Sequence, residues 1–537
     1  MAVMAALGPF CAASLLVLAS GEPALYKNGA SFVLDTPPAP LGMTVAALQG
    51  LMNQKLGRPA VFLRKMPSDA GWLKTAVALE ESLKQAEFRE VQWPELLEAA
   101  IAAGAVKGRV LVNASEPWSF ASAVSLAALH RAIPIDTHHT NHSLEHLPVL
   151  ADVRGRWSSQ VEATKDTVQG VLPNMTKSRI VIQTPELIAE GFLVDLAVKD
   201  TMFVMWMDHL CTAGTEDNLL FRQVTESLSS IDTELSIMGY FAGSEVVADC
   251  TSSHSEISLV SDMSPNLAFF SLLPPVVSLK QSALQPVPKY DPSKIYVALL
   301  SSDGDNMQLD YNSLRPRMEE RLALCAKSVV EASKASQASC PPVGWTISNR
   351  LMEFAPTVLR WLYAAAQRTG GRDSFLMGPS GYGFLHPSSN TKEALLTNLT
   401  VQAAEKLDMC AYVHWDAYNQ ETAMEQAVAK YAHTAIRGVF SPVQPAVPPV
   451  VANDVVTFTE TLRWFTKSRP IDVANHVNGL KPGSTVFLYK IHDISFADVE
   501  AMAAALRGNV VLLGHRELIS MTRVRYGLDP DASTLVV

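Results

Sequence analysis

The sequence predicts an α/β protein in two unequal parts, small α/β units followed by a larger parallel barrel. Three observations predict it. From residue 41 onward, short apolar runs alternate with stretches of helical periodicity, the pattern of parallel strands joined by helical crossovers. A proline-rich segment, Leu272–Pro292, with prolines at 274, 275, 286, 288 and 292, divides the chain. Beyond it, about eight strand-like runs fall within about 240 residues, the scale of a (β/α)8 barrel. An open doubly wound sheet is the alternative arrangement of the same elements.

Composition agrees with a folded chain of more than one domain. Of 537 residues, 48% are hydrophobic and 18% charged, which excludes a disordered class. The formal net charge is −10 and no long basic run occurs, so nucleic acid is not an expected partner.

The first element is a targeting segment. Val3 to Leu18 are almost wholly apolar or small, and Ala19-Ser20-Gly21 follow, which reads as a signal peptide over residues 1–21. The run is shorter than the roughly 20 residues a spanning helix needs, so no stable membrane insertion is expected. The mature chain is expected to be secreted or lumenal. Cys11 leaves with the signal, and the remaining Cys211, Cys250, Cys325, Cys340 and Cys410 are odd in number, leaving at least one free thiol. Cys211–Cys250 and Cys325–Cys340 are candidate pairs. No C-x-x-C or Cys/His zinc spacing occurs, so no metal is expected to be held that way. Glycosylation sequons stand at Asn113, Asn141, Asn174 and Asn398.

The N-terminal α/β part is assigned to residues 22–271. Thr44–Leu56 has helical periodicity and is followed by the strand-like Ala60–Arg64. Arg109–Asn113 leads into the helical Phe120–Arg131, and Arg179–Gln183 into Glu186–Val198 and then Met202–Met207. No G-x-G-x-x-G follows any of these strands, so no dinucleotide cofactor is expected. Residues 272–292 form the linker and 293–537 the barrel. Barrel strands are expected at Ile295–Ser301, Val343–Ile347, Ser374–Met377, Met409–Val413, Gly438–Phe440, Val450–Asn453, Thr485–His492 and Asn509–Leu513. Between them Thr357–Arg368 carries an apolar face, with Pro356 before it and Gly370-Gly371 after it as start and stop signals.

Polar residues cluster where these strands end. Ile295–Ser301 runs into Ser302-Asp303-Gly304-Asp305-Asn306; Val343–Ile347 ends in Ser348-Asn349-Arg350, with Glu353 beyond. Phe375–Met377 opens into Gly378-Pro-Ser-Gly381-Tyr382-Gly-Phe384-Leu-His386-Pro387. Ala411–Val413 ends in His414-Trp415-Asp416, and Val486–Ile491 in His492-Asp493. Any one such end reads equally well as turn and capping chemistry. In a barrel, however, the C-terminal ends of the strands converge on one mouth, which is the active face.

The residue types suit a sugar. Trp345, Tyr382, Phe384, Trp415 and Tyr418 offer flat rings for the C–H face of a pyranose, and carboxylates and amides can bond its hydroxyls. Glycoside cleavage needs one carboxylic acid to protonate the leaving oxygen and a second carboxylate as nucleophile or base. Asp303, Asp305, Glu353 and Asp416 are the candidate catalytic residues. Asn306, Trp345, Asn349, Gly381, Tyr382, His386, His414, Trp415 and His492 are the candidate substrate contacts.

The loop Gly378–Pro387 resembles the signature of the GxGYxYP family of putative glycoside hydrolases, with Phe384 and His386 standing where the pattern has a tyrosine. Ser302-Asp-Gly-Asp-Asn306, Pro342-Val-Gly-Trp-Thr-Ile-Ser348, Leu48-Gln-Gly-Leu-Met-Asn53 and the run from Ser261-Asp262 to Asn266-Leu267 are similar to that family too. The resemblance extends from about residue 40 to 525. It implies small α/β N-terminal domains, a TIM-barrel-like C-terminal domain and family-motif positions at Asp303, Asp305, Asn306, Gly381 and Tyr382.

The leading expectation is a secreted hydrolase acting on an oligo- or polysaccharide without a cofactor. One alternative is a metal-assisted glycan deacetylase-like hydrolase, with Asp303, Asp305 and His386, His414 or His492 around a divalent cation. The other is a carbohydrate-binding protein without turnover.

Overall fold

The computed structural model describes residues 31–138, 144, 146–228, 234–240, 250–251, 256–304, 306–307, 309, 314–330 (backbone only for 327–330), 340–387, 390–415, 428–441, 448–464, 468–491 and 493–529. The expected signal peptide, Asp305, Asp416, Tyr418 and His492 lie outside them.

Three small parallel sheets precede the barrel. β1 (Ser31–Asp35), β2 (Val61–Arg64) and β3 (Phe88–Glu90) form the first, in the order β2-β1-β3. β4 (Gly108–Val112), β5 (Ala132–Asp136) and β6 (Val149–Asp152) form the second, in the order β5-β4-β6. β7 (Arg179–Ile182), β8 (Phe203–Met205), β9 (Ser236–Gly239) and β10 (Ile257–Val260) form the third, in the order β10-β9-β7-β8.

One helix serves all three sheets. Leu41–Leu56 is buried from Gly42 to Asn53 and packs on β2, on β5 and on the helix Val194–Lys199 beside the third sheet. Because it is buried all round, its polar residues need partners. Asn53 Oδ1 accepts the backbone N–H groups of Ala60 (3.0 Å) and Val61 (2.8 Å). Gln49 Nε2 donates to Asn266 Oδ1 at 2.8 Å, and that oxygen also accepts Leu63 N–H at 2.8 Å. The motifs Leu48–Asn53 and Asn266-Leu267 are thus two halves of one buried polar seam. The helix expected over Glu186–Val198 is two, Pro185–Ala189 and Val194–Lys199, interrupted where Leu193 turns left-handed at φ 62°.

The C-terminal part is a closed parallel barrel. Its strands are β11 (Ile295–Ser301), β12 (Val343–Ile347), β13 (Asp373–Met377), β14 (Ala411–Val413), β15 (Gly438–Ser441), β17 (Val455–Trp464) and β18 (Thr485–Lys490). The ring of seven closes where Leu300 and Ser301 of β11 pair with Gly344 and Trp345 of β12. An eighth parallel strand, β19 (Val510–Leu513), pairs only with the first half of β11, Ile295 to Ala298, and stands beside the ring.

The last helix, His515–Arg525, is buried from His515 to Arg523 and enters the lower barrel. Ile519 packs over Gly438 at the start of β15, and His515 Nδ1 lies 3.0 Å from Ser374 Oγ near the start of β13. Leu518, Ile519 and Met521 join the interior cluster of Tyr296, Ala298, Leu300, Leu376, Phe440, Phe458 and Phe487. β19 takes the lower half of the β11 edge that β12 takes above, so the ring of seven closes only above the helix.

The run expected as a wall strand at Val450–Asn453 is a short antiparallel partner, β16 (Val450–Ala452), outside the ring. The wall strand is β17, which follows directly. Residues 272–292 contain no helix or strand and run along the N-terminal rim of the barrel. There Leu279 N–H donates to Lys406 O at 2.8 Å, and Tyr290 Oη donates to Gly483 O at 3.1 Å.

Both candidate disulfides form, Cys211–Cys250 and Cys325–Cys340, with Cα separations of 5.4 and 5.0 Å. Cys410 is free and buried. Among the described residues no helix is long and apolar enough to cross a membrane.

Candidate functional site at the barrel mouth

Strand alternation decides which side chains reach the mouth. In β12, Val343, Trp345 and Ile347 belong to the outer core between strands and helices, so Gly344 and Thr346 face inward. Trp345 is therefore not a sugar contact. It is fully buried, bonds Asp373 Oδ2 through Nε1 at 3.2 Å, and packs against Phe496 with centroids 5.2 Å apart. His414 is likewise in the wall, since it follows Tyr412 on the outer side of β14 and shares a 3.2 Å contact with its hydroxyl. Trp415, one residue on, turns inward and packs on the interior cluster.

The loop after β11 docks on the third N-terminal sheet. Met307 N–H donates to Val260 O at 2.9 Å, and Ser264 Oγ to Met307 O at 2.6 Å. Asp303 is half-buried, in a left-handed turn at φ 63°. It lies within electrostatic reach of Arg317 and Lys490, whose charged forms burial disfavours. Its described neighbours are thus two buried cations, and Arg317 in turn holds Ser301 Oγ.

Glu353 has both oxygens committed. Oε1 pairs with Arg179 at the start of β7, and Oε2 with Arg350 at 2.9 Å. Arg350 also bonds Glu234 Oε1 at 2.6 Å and lays its guanidinium 4.6 Å from the ring centroid of Tyr382. Burial raises the Tyr382 hydroxyl's pKa; Arg350 opposes this and Glu234 adds to it. Glu353 therefore joins the barrel to the third sheet, a contact between halves of the chain that sequence reasoning did not pair.

The glycine-rich loop after β13 is braced from two sides. Fully buried Asn349 donates through Nδ2 to Gly381 O at 3.0 Å, which makes it a support for the loop. Ser380 Oγ donates to Leu385 O at 2.9 Å and accepts Trp415 N–H at 2.9 Å. Gly381 has φ 91°, a conformation side chains resist. His386, within the same loop, is buried. On the far side, Phe384 pairs with Ser258 as an antiparallel bridge on the free edge of β10.

Between loop and sheet lies a small cleft. Asn306, Ser348, Pro379, Tyr382 and Phe384 line it from the barrel, and Ser258 to Val260 from β10. It has the polar and aromatic lining expected of a small-ligand site. Of the sequence candidates, the structure brings Asn306, Gly381 and Tyr382 to this cleft. Trp415 belongs to the barrel interior nearby, while Trp345, Asn349, Glu353 and His414 have supporting positions. Among the described residues, no group of three or more His, Cys, Asp or Glu could hold a metal ion.

Sequence reasoning missed Glu460. In β17, Val456 and Phe458 face the interior, and Glu460 follows in the same alternation, paired with inward-facing Phe487 of β18. It is 1% exposed and bonds Arg463 at 3.1 and 3.3 Å. Burial raises its pKa and Arg463 opposes the rise. Arg463 stacks over Trp415, 4.9 Å from the ring centroid. The alternation Val456, Phe458, Glu460 was the available signal.

Known proteins share this architecture and part of this sequence. Residues 293–447 match the family model described as "GxGYxYP putative glycoside hydrolase C-terminal domain", and residues 106–170 match "GxGYxYP_N second domain". The chain carries two domains of the GxGYxYP family. The fold of a crystal structure described as a putative hydrolase from Bacteroides thetaiotaomicron is similar, with a TM-score of 0.73 at 18% identity, over 92% of this chain and 95% of that one. No curated protein matches. Within the matched C-terminal domain the glycine-rich loop forms one wall of the cleft, and the S-D-G-D-N turn contributes Asn306 to it.

Proposed function

We propose that the chain is a secreted glycoside hydrolase that cleaves an oligo- or polysaccharide by carboxylate acid/base catalysis at the barrel mouth. What carries this reading is the junction of Trp415, packed on the barrel interior, with the cleft lined by Tyr382, Phe384, Asn306 and Ser348. Rings and hydrogen-bonding groups side by side suit the two faces of a sugar. The family description supports the reaction class.

Asp303, Asp305, Glu353 and Asp416 remain the sequence candidates for the acid/base work. Tyr382 would position the sugar with the ring face that Arg350 leaves uncovered. Secretion rests on the apolar run before Gly21, and the disulfides suit an oxidising compartment.

Product release from a broad panel of oligo- and polysaccharides, read by mass spectrometry, tests the proposal. Wild type is run beside Asp305→Asn, with and without chelator. Cleavage that needs Asp305 and ignores chelator supports it. Acetate release abolished by chelator would replace it with metal-assisted deacetylation. Saccharide binding with no product from any substrate would leave a binding protein.

A further inference from the structure

We propose that Glu460 is a catalytic residue of the barrel mouth, the carboxylic acid that protonates the leaving oxygen of the glycoside. The inference rests on the hydrolase reading above and adds a residue to it. Glu460 ends the inward-facing row Val456, Phe458, Glu460 on the longest strand of the ring, at the strand's C-terminal half. Active groups of parallel barrels project from that end.

Its surroundings suit an acid. The carboxyl is 1% exposed, and the neighbouring strands β15 and β18 present Phe440, Phe487 and Tyr489 to the interior. Among the described residues, the charged group that acts on it is Arg463 on its own strand, and Tyr489 of β18 stands in register with Arg463. Burial raises the carboxyl's pKa, the direction a general acid needs. Arg463, already within 3.1 Å, stabilises the carboxylate as it forms. Arg463 is a positioning residue: stacked over Trp415, it fixes the carboxyl relative to the ring on which a sugar would lie.

The step balances as follows. The bond from the anomeric carbon to the glycosidic oxygen breaks, and its electron pair stays on that oxygen. The oxygen takes the Glu460 proton, so the leaving sugar departs as an alcohol. A water oxygen bonds to the anomeric carbon, and the proton it sheds returns to Glu460 directly or through solvent. The sum is hydrolysis, with the carboxylic acid restored.

The test compares wild type, Glu460→Gln and Arg463→Gln on a cleaved glycan and on its 2,4-dinitrophenyl glycoside, whose leaving group needs no proton. Glu460→Gln should lower kcat/KM on the glycan by roughly 10²–10⁴. It should lower kcat/KM on the dinitrophenyl glycoside by less than about tenfold and abolish the alkaline limb of the pH profile. Arg463→Gln should move that limb to higher pH, because removing the cation raises the carboxyl's pKa. Equal losses on both substrates with saccharide binding intact, or an unmoved limb in Arg463→Gln, would overturn Glu460 as the acid and leave the hydrolase reading standing. A wild type that cleaves no glycoside would overturn the hydrolase reading and this assignment with it.

Discussion

Phe384 donates its backbone N–H to the carbonyl of Ser258 across 2.9 Å, so the barrel's signature loop extends the edge of an N-terminal sheet. The contact closes one side of the cleft. It also requires Gly383, because a Cβ there would stand 2.2 Å from Ile257 Cγ2 and 3.1 Å from Ser258 O. Gly383→Ala should therefore push the loop off β10. A loss of about 1–3 kcal/mol is expected, the usual cost of overpacking. Urea unfolding measures it, and saccharide binding should weaken more than the stability change alone accounts for.

Arg321 and Asp373 form an ion pair with both side chains fully buried. Arg321 bonds both carboxylate oxygens, and Trp345 bonds one of them. Removing one partner leaves the other charge without compensation, which costs about 3–5 kcal/mol. Asp373→Asn should destabilise by that order in urea. Arg321→Met combined with Asp373→Leu should recover most of the loss, because an apolar pair leaves no stranded charge.

These cases show which features the sequence made legible. β11 and β12 were bounded to the residue, because each is a continuous apolar run ending in polar turn residues. The facing of Trp345 was not legible: β12 alternates Val343, Trp345 and Ile347 with Gly344 and Thr346, but both rows are buried, so nothing local says which is wall and which is mouth. β17 was missed because Thr457, Thr459, Glu460, Thr461 and Arg463 make it read as polar, although burial runs almost its whole length. The Glu353–Arg179 ion pair was invisible because the partners lie 174 residues apart in sequence. The motif carboxylate Asp303 was found, but its cationic neighbours Arg317 and Lys490 come from a helix and from another strand.

The sulfur chemistry gives a third prediction. Cys325 and Cys340 close a loop with a sequence separation of 15, which stabilises by about 3 kcal/mol in the chain-entropy account. Cys325→Ser should lose about that much in urea, and Cys211→Ser somewhat more for its longer loop. Cys410 is buried, and burial raises its thiol pKa. A chain lacking residues 1–21 should thus show no reactive thiol when native. It should show a single one in denaturant without reductant, counted with Ellman's reagent.

His515 predicts how the barrel responds to acid. Burial, with Arg516 adding to it, lowers its pKa from 6.5 to about 3. Nε2 is buried with no hydrogen-bond partner among the described residues, and a hydrogen bond to the Phe375 backbone only partly opposes the shift. The folded chain binds that proton less readily than the unfolded chain. The neutral ring's contribution is therefore complete above pH 6.5 and lost as pH falls toward 3. Full protonation would remove roughly 5 kcal/mol. His515→Asn keeps an acceptor for Ser374 Oγ but removes the titrating group. At pH 7 the variant should be less stable by about 1–3 kcal/mol, the cost of a smaller side chain in a packed interior. The difference should shrink as pH falls, and the variant should be the more stable protein near pH 4. Urea midpoints across that range check it, and parallel curves for the two proteins would show that another group governs acid unfolding.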